Sequence, residues 1–235
     1  MHKKLKTLIA LSAIAMSAVS QAAPIAGQGT WETTLQSRDI DSDGVTDAFY
    51  DTSLNITWLA NANANGLMNW AESVDWATSL VVGSFNDWRL PGTTDVGNDG
   101  CSYKSGGGGL DCGFIPNANS SEMAFLYYVT LGNLGSPNDQ GSPNDGFWGL
   151  ANTGNFVDMR QNVYWSGTQA DSTSSWAFSN YFGYQAPYEI SYRGRAFAVR
   201  DGDVAISAVP EPSTYAMMLI GFAALTVVSR RKSAR

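Results

Sequence analysis

The sequence predicts an α+β fold: one domain of short mixed strands around two main helices, with long Gly/Asn-rich loops. Three observations carry this. Runs of four to six residues alternate apolar and polar side chains between Gly, Asn and Asp clusters. Two segments carry helix-start signatures, Asn69 with Glu72 and Asn119-Ser-Ser-Glu122. Both ends of the chain are apolar runs with basic flanks, which frame the domain rather than belong to it.

In chain order, Thr30–Leu35 and Ala48–Asp51 alternate around an Asp-Ser-Asp-Gly turn and read as a hairpin. Leu54–Leu59 alternates again, with Leu54, Ile56 and Trp58 on one face of a strand. Asn69 caps a helix over Trp70–Leu80, with Trp70, Val74, Ala77 and Leu80 near one face. Asp87–Pro91 reads as a short strand stopped by proline. Gly92–Asn119 is a long glycine-rich connection, either functional or tied down by its two cysteines. A second, apolar helix is expected over Glu122–Leu131. Ser-Pro-Asn-Asp occurs twice, from 136 and from 142, as a local duplication inside a loop. Val163–Ser166, Ser175–Asn180 and Ala196–Arg200 read as closing strands.

Residues 1–22 have the layout of a signal peptide: a basic start at Lys3, Lys4 and Lys6, an apolar Leu8–Val19, and small residues at Ser20 and Ala22 before a cut ahead of Ala23. An internal anchor is the plainer alternative. At the other end, residues 204–209 form a linker into Pro210-Glu211-Pro212, an uncharged run over 213–229 and a basic Arg230-Arg231-Lys232. Those seventeen residues make about 26 Å of helix, the short end of a membrane span, with the basic cluster on the cytoplasmic side. The run has no polar face at helical spacing, which argues against a core helix.

Between these segments the charge balance is strongly acidic. The chain has 14 Lys and Arg and 21 Asp and Glu; residues 23–209 keep seven and twenty of them, a net charge of −13. Such a body excludes nucleic acid or anionic sugars held on a basic face, and suits divalent cations or neutral glycans. Its roughly 187 residues are enough for one proper core. The only histidine, His2, lies in the leader, so no His-dependent triad or His-ligated zinc can form in residues 23–235. The only cysteines, Cys101 and Cys112, are expected to form a disulfide around ten intervening residues, with a redox or metal role as the alternative.

The tail resembles the PEP-CTERM sorting signal, on Pro210-Glu211-Pro212, the apolar segment and the terminal basic cluster (residues 210–235). That resemblance implies an exosortase-type transpeptidase as partner, a membrane hold before processing, signal peptidase at the other end, and a final place at the cell surface, outer membrane or extracellular matrix. A second resemblance rests on Tyr50-Asp51, Leu54–Leu59, Met68-Asn69-Trp70, Asp87–Pro91, Ser121-Glu122-Met123, Tyr164–Thr168 and Ala198-Val199-Arg200. Their order is similar to the Lcl C-terminal domain, over residues 48–203, with residues 23–47 as a preceding hairpin. This implies an extracellular binding or adhesion module of C-type-lectin-like or formylglycine-generating-enzyme-like architecture. The cysteine pair that such enzymes oxidise with is not evident, so their activity does not carry over.

Two constellations could carry chemistry. Asp39, Asp41, Asp43 and Asp47 stand at positions 1, 3, 5 and 9 of a loop with Gly44 at 6, an oxygen spacing that suits calcium, the one cofactor expected. Glutamate is missing at position 12, where Tyr50 stands, and a plain polar hairpin tip also fits. The second is aromatic: Trp148, Tyr164, Trp165, Trp176, Phe178, Tyr181, Phe182, Tyr184, Tyr188 and Tyr192. Most such rings pack in cores, Trp165 and Trp176 among them. Tyr181, Tyr184 and Tyr188, read as lying in a loop, are the ligand-binding candidates, with extracellular polysaccharide as partner. Glu122, Asp158, Asp201 and Asp203 could serve a glycosidase, but no spacing singles out a pair. The expectation is therefore a non-enzymatic surface adhesion protein. A calcium-stabilised structural matrix protein is the alternative, and a carboxylate-dependent glycosidase the weakest reading.

Overall fold

The structure, a computed structural model, describes residues 23–97, 101–102, 111–114, 118–137 and 148–204. The chain runs through a helical turn α1 (Trp31–Thr34), β1 (Leu35–Arg38), β2 (Ala48–Asp51), β3 (Ile56–Leu59), β4 (Leu67–Met68) and helix α2 (Trp70–Ser79). Then come β5 (Cys101–Ser102), β6 (Cys112–Phe114), a 3₁₀ turn (Ala118–Ser120) and α3 (Glu122–Phe125), which continues as a π turn over Leu126–Thr130. The last part is all strand: β7 (Val163–Gln169), β8 (Ser174–Ser179), β9 (Tyr184–Glu189), β10 (Gly194–Arg195) and β11 (Val199–Asp201).

These strands form two sheets. One is antiparallel, in the order β1-β2-β3-β11. The other has the order β4-β10-β7-β8-β9-β6-β5, with parallel contacts only at β10–β7 and β5–β6. The α+β, single-domain expectation is met. Among the described residues no helix is long and apolar enough to cross a membrane. The leader (1–22), the sorting motif and the apolar segment 213–229 lie outside the described residues, as do the whole second Ser-Pro-Asn-Asp copy and positions 138–139 of the first.

Several elements differ from expectation for physical reasons. Thr30 starts a helical turn instead of a strand, because its carbonyl collects the amides of Thr33 and Thr34, both at 2.9 Å, while Trp31 is buried. The hairpin strand then begins at Leu35. Asn55 sits at φ 54°, so β3 starts only at Ile56. Asp87–Pro91 contributes a single bridge, Arg89 to Val199. Tyr184–Glu189, expected as loop, is a full strand: it pairs with β8 throughout and with β6 only at Tyr184 and Gln185. Pro187 is tolerated because beyond Gln185 this strand faces no second partner among the described residues.

Helix α2 is fixed as its sequence dictates. The Asn69 side chain accepts the Glu72 amide and Glu72 Oε2 accepts the Asn69 amide, each at 2.9 Å. Trp70 Nε1 donates to Ser166 O at 2.9 Å and Trp165 Nε1 to Met68 O at 3.1 Å, seating the helix and β4 on the second sheet. Ser121 caps the second helix by accepting the Ala124 amide. Between the sheets Trp58 packs on Phe197 at 4.9 Å and Phe156 meets Phe49 at 5.1 Å. Burial of a side chain such as Phe197 is worth about 2–3 kcal/mol.

Candidate functional site

The Asp-rich turn folds onto itself. Asp39 Oδ1 accepts the Asp43 amide at 3.2 Å and Oδ2 the Gly44 amide at 2.9 Å, while Asp43 Oδ1 accepts the Val45 amide at 2.8 Å. Ser42 and Gly44 take the left-handed φ values of 65° and 89° that make the reversal possible. The result brings ligand oxygens of Asp39, Asp41 and Asp43 within 4.8 Å of one another, all three residues exposed. Asp47 stands apart: its Oδ2 accepts the Ile40 amide at 2.7 Å and closes the base of the hairpin. Three carboxylates could hold a divalent cation only with other oxygens completing the shell, since calcium takes six to eight.

The aromatic candidates separate into three places. Tyr184 lies on β9 against Phe114, with centroids 4.9 Å apart. Tyr188, on the same strand, packs on Tyr192 at 5.3 Å, and burial pushes its hydroxyl pKa up. Tyr181 alone sits in a loop, the β8–β9 turn, where Phe182 and Trp148 join it. Trp148 stacks on Phe182 at 5.7 Å and 13° and meets Tyr181 edge-on at 5.2 Å. Tyr181 meets Phe182 at 4.5 Å. Tyr181 is 40% and Phe182 44% exposed, so two large rings of this cluster face water. Trp165 and Trp176 are buried, as expected.

The exposed cluster rests on a rigid turn. Asn180 donates its amide to Asn162 O at 3.1 Å, accepts the Asn162 amide at 2.8 Å through Oδ1, and donates Nδ2 to Arg160 O at 2.8 Å. Phe182 O accepts the Ser136 amide at 2.8 Å, and Tyr128 Oη donates to Gly183 O. Gly183 has φ 70°, and a Cβ there would collide with the Tyr128 hydroxyl, so both backbone and packing require glycine. Gly149, next to Trp148, hydrogen-bonds Leu134 O at 2.9 Å and leaves only 3.0 Å between a built Cβ and Tyr181 O. No local sequence signal joins Trp148 to Tyr181 and Phe182, because Trp148 lies 33 positions before Tyr181.

The acidic side chains considered for catalysis are held by arginines. Glu122 accepts from Arg89 Nη1 and Nη2, both at 2.8 Å, and from the Gly92 amide at 2.6 Å. Arg89 also reaches Asp201 at 2.5 Å, and the Glu122 hydrogen bonds above all hold its guanidinium further above its usual pKa. Asp203 takes both Nε and Nη2 of Arg38 at 2.7 Å. Asp158 accepts Asn63 Nδ2 at 2.6 Å and pairs with Arg160; the Asn63 bond first, then Arg160, keeps its pKa below the carboxylate range. Cys101 and Cys112 form the expected disulfide, across the parallel β5–β6 pair.

Residues 208–232 match the family model of the PEP-CTERM protein-sorting motif. No curated protein matches the chain.

Proposed function

We propose that this chain, whose sorting motif marks it as exported, held briefly at the membrane and processed by an exosortase, works as a saccharide-binding module at the cell surface or in the extracellular matrix. The observation that carries the reading is the exposed cluster of Trp148, Tyr181 and Phe182 on a turn pinned by Asn180. Flat rings open to water hold sugar C–H faces, and a body of net charge −13 repels anionic polysaccharide and favours a neutral one. An Lcl C-terminal-like adhesion module is the architecture that fits this reading; the segments behind that resemblance fall on β2, β3, the α2 cap, the Arg89–Val199 bridge, the α3 cap and β7. Binding without catalysis is supported by the engagement of Glu122, Asp158, Asp201 and Asp203 with arginines. Removal of the leader by signal peptidase belongs to the same proposal.

The test is a glycan array probed with folded protein of residues 23–213 in the presence of calcium. Binding to neutral glycans that weakens in Trp148→Ala supports the reading; an array with no binder overturns it. The convergence of Asp39, Asp41 and Asp43 favours a second reading, a calcium-stabilised structural matrix protein with no small ligand. In that case chelation releases the protein from matrix and soluble sugar does not. Absence of calorimetric heat with Ca²⁺, together with an unchanged melting temperature in chelator, would remove that reading.

A further inference from the structure

Helix α2 buries a narrow stripe of small residues, Ser73 and Ala77, against the rest of the protein. Glu72, Asp75, Trp76 and Ser79 form a second stripe at i, i+3, i+4 and i+7, which by spacing share one face. That face lines an open cleft of about 670 Å³ whose opposite wall includes Leu67, on β4, and Arg193. Trp76 packs its partly buried ring against both hydrophobic clusters, which fixes it at the cleft. Its indole N–H has no hydrogen-bond partner among the described residues, whereas those of Trp70, Trp88, Trp165 and Trp176 all have one.

The charges in the cleft are not balanced. Arg193 donates to Glu72 at 3.4 Å and to Leu67 O at 2.6 Å, so these two ionic groups neutralise and position each other. Asp75, exposed and three residues along the same face, has no ion pair and no side-chain hydrogen bond among the described residues. One uncompensated carboxylate therefore stands beside a fixed indole ring, on a body that is already acidic. A ring face with an adjacent carboxylate attracts an organic ammonium by cation–π and Coulomb terms together. Beyond this charge the cleft offers an acceptor at Ser79, whose hydroxyl hydrogen is engaged with Trp76 O at 3.0 Å, and an exposed apolar patch at Leu67. This pattern of apolar face, scattered polar groups and one anion fits a pyranose that bears a free amine.

We propose that the α2 cleft is a second binding site, separate from the Trp148 turn, that takes amino-sugar units with an unacetylated amine, Trp76 stacking on the ring and Asp75 pairing with the ammonium. The site does not depend on the saccharide reading of the Trp148 cluster. One domain with two such sites would bridge saccharide chains of different character.

The experiment is calorimetric titration of the protein of residues 23–213 with glucosamine tetrasaccharide, its fully N-acetylated counterpart and tetralysine. The free-amine sugar should bind, and the acetylated one about tenfold or more weaker, with affinity falling as salt is raised. Asp75→Asn should lower affinity about tenfold and Asp75→Lys abolish it; the Asp75 carboxylate has no hydrogen bond or ion pair among the described residues, so both should keep the wild-type melting temperature. Trp148→Ala should leave this binding unchanged. Equal binding of both sugars, indifference to Asp75→Lys, loss of binding in Trp148→Ala, tetralysine binding as tightly as the sugar, or no heat with the free-amine sugar would each overturn the proposal.

Discussion

Arg89 donates to both oxygens of Glu122, at 2.8 Å each, and so ties the segment before Pro91 to the first turn of α3. The same carboxylate accepts the Gly92 amide, and only about a fifth of its side chain is exposed. Glu122→Ala removes the two-oxygen acceptor of the Arg89 guanidinium, which keeps only Asp201 and Leu90 O, and leaves the Gly92 N–H without its acceptor; it should destabilise the fold by about 2 kcal/mol. Asp201 binds the same arginine, but its side chain is 81% exposed, so Asp201→Ala should cost under about 1 kcal/mol. Urea midpoints of the two variants measure the difference; equal losses would show that Glu122 is no more than a surface partner.

Trp148 and Tyr188 make a paired prediction. Trp148→Ala removes the central ring of an exposed cluster and should weaken neutral-saccharide binding at least about tenfold, with under about 1 kcal/mol of lost stability. Tyr188→Ala should do the reverse, since Tyr188 packs on Tyr192, which in turn meets Trp165 at 6.3 Å. Calorimetry with the best array ligand, beside thermal melts, separates the two; weaker binding in Tyr188→Ala would shift the site along β9.

Asp51 is fully buried, and burial pushes its carboxyl pKa up against the opposing amides of Ser53 and Leu54 and the Thr130 hydroxyl. A carboxyl raised in the fold penalises the folded state wherever the unfolded chain is ionised. The penalty is therefore present at neutral pH, shrinks as pH falls through the raised pKa, and is gone below about 4. Asp87, Asp158 and Asp171 are lowered and act in the opposite sense, losing their contribution in acid. The stability of wild type relative to Asp51→Asn should therefore rise between pH 7 and pH 4. A flat difference in urea midpoints would mean that Asp51 is not perturbed as described.

What the sequence made legible follows from the range of each interaction. The α2 cap was readable because Asn69 and Glu72 lie within one turn, and the convergence of Asp39, Asp41 and Asp43 because a single Gly44 reversal produces it. Asp47 misled: the same spacing that suits a ligand also places its carboxylate under the Ile40 amide. β9 was hidden because Gly183 just before it and Pro187 within it are loop signals, and only the partial pairing with β6 explains why Pro187 fits there. The exposed cluster could not be read locally, since Asn162, Asn180, Ser136 and Gly149 must all close before Trp148 reaches Tyr181. The α2 cleft had no signal in the sequence, since it exists only where the β4–β10 pairing brings Leu67 and Arg193 to face the helix.

The end of the domain bears on how it is processed. Arg38 holds Asp203 through two bonds of 2.7 Å, Arg200 donates to Asp203 O at 3.2 Å, and Val204 is buried, so the fold is anchored up to the residue where the linker begins. Six linker residues, 204–209, can span at most about 20 Å between the domain and Pro210-Glu211-Pro212. Proline at 210 and 212 disfavours helix through the motif, so a transpeptidase would meet an extended substrate there. In cells with an exosortase, intact mass should give a mature chain lacking Thr214–Arg235. Pro210→Ala with Pro212→Ala should leave the chain full length at its C-terminus and retained with the membrane, while its domain keeps the wild-type melting temperature. A wild-type chain that keeps residues 214–235 in such cells, or a double variant that is still cut, would show that these prolines do not direct the processing.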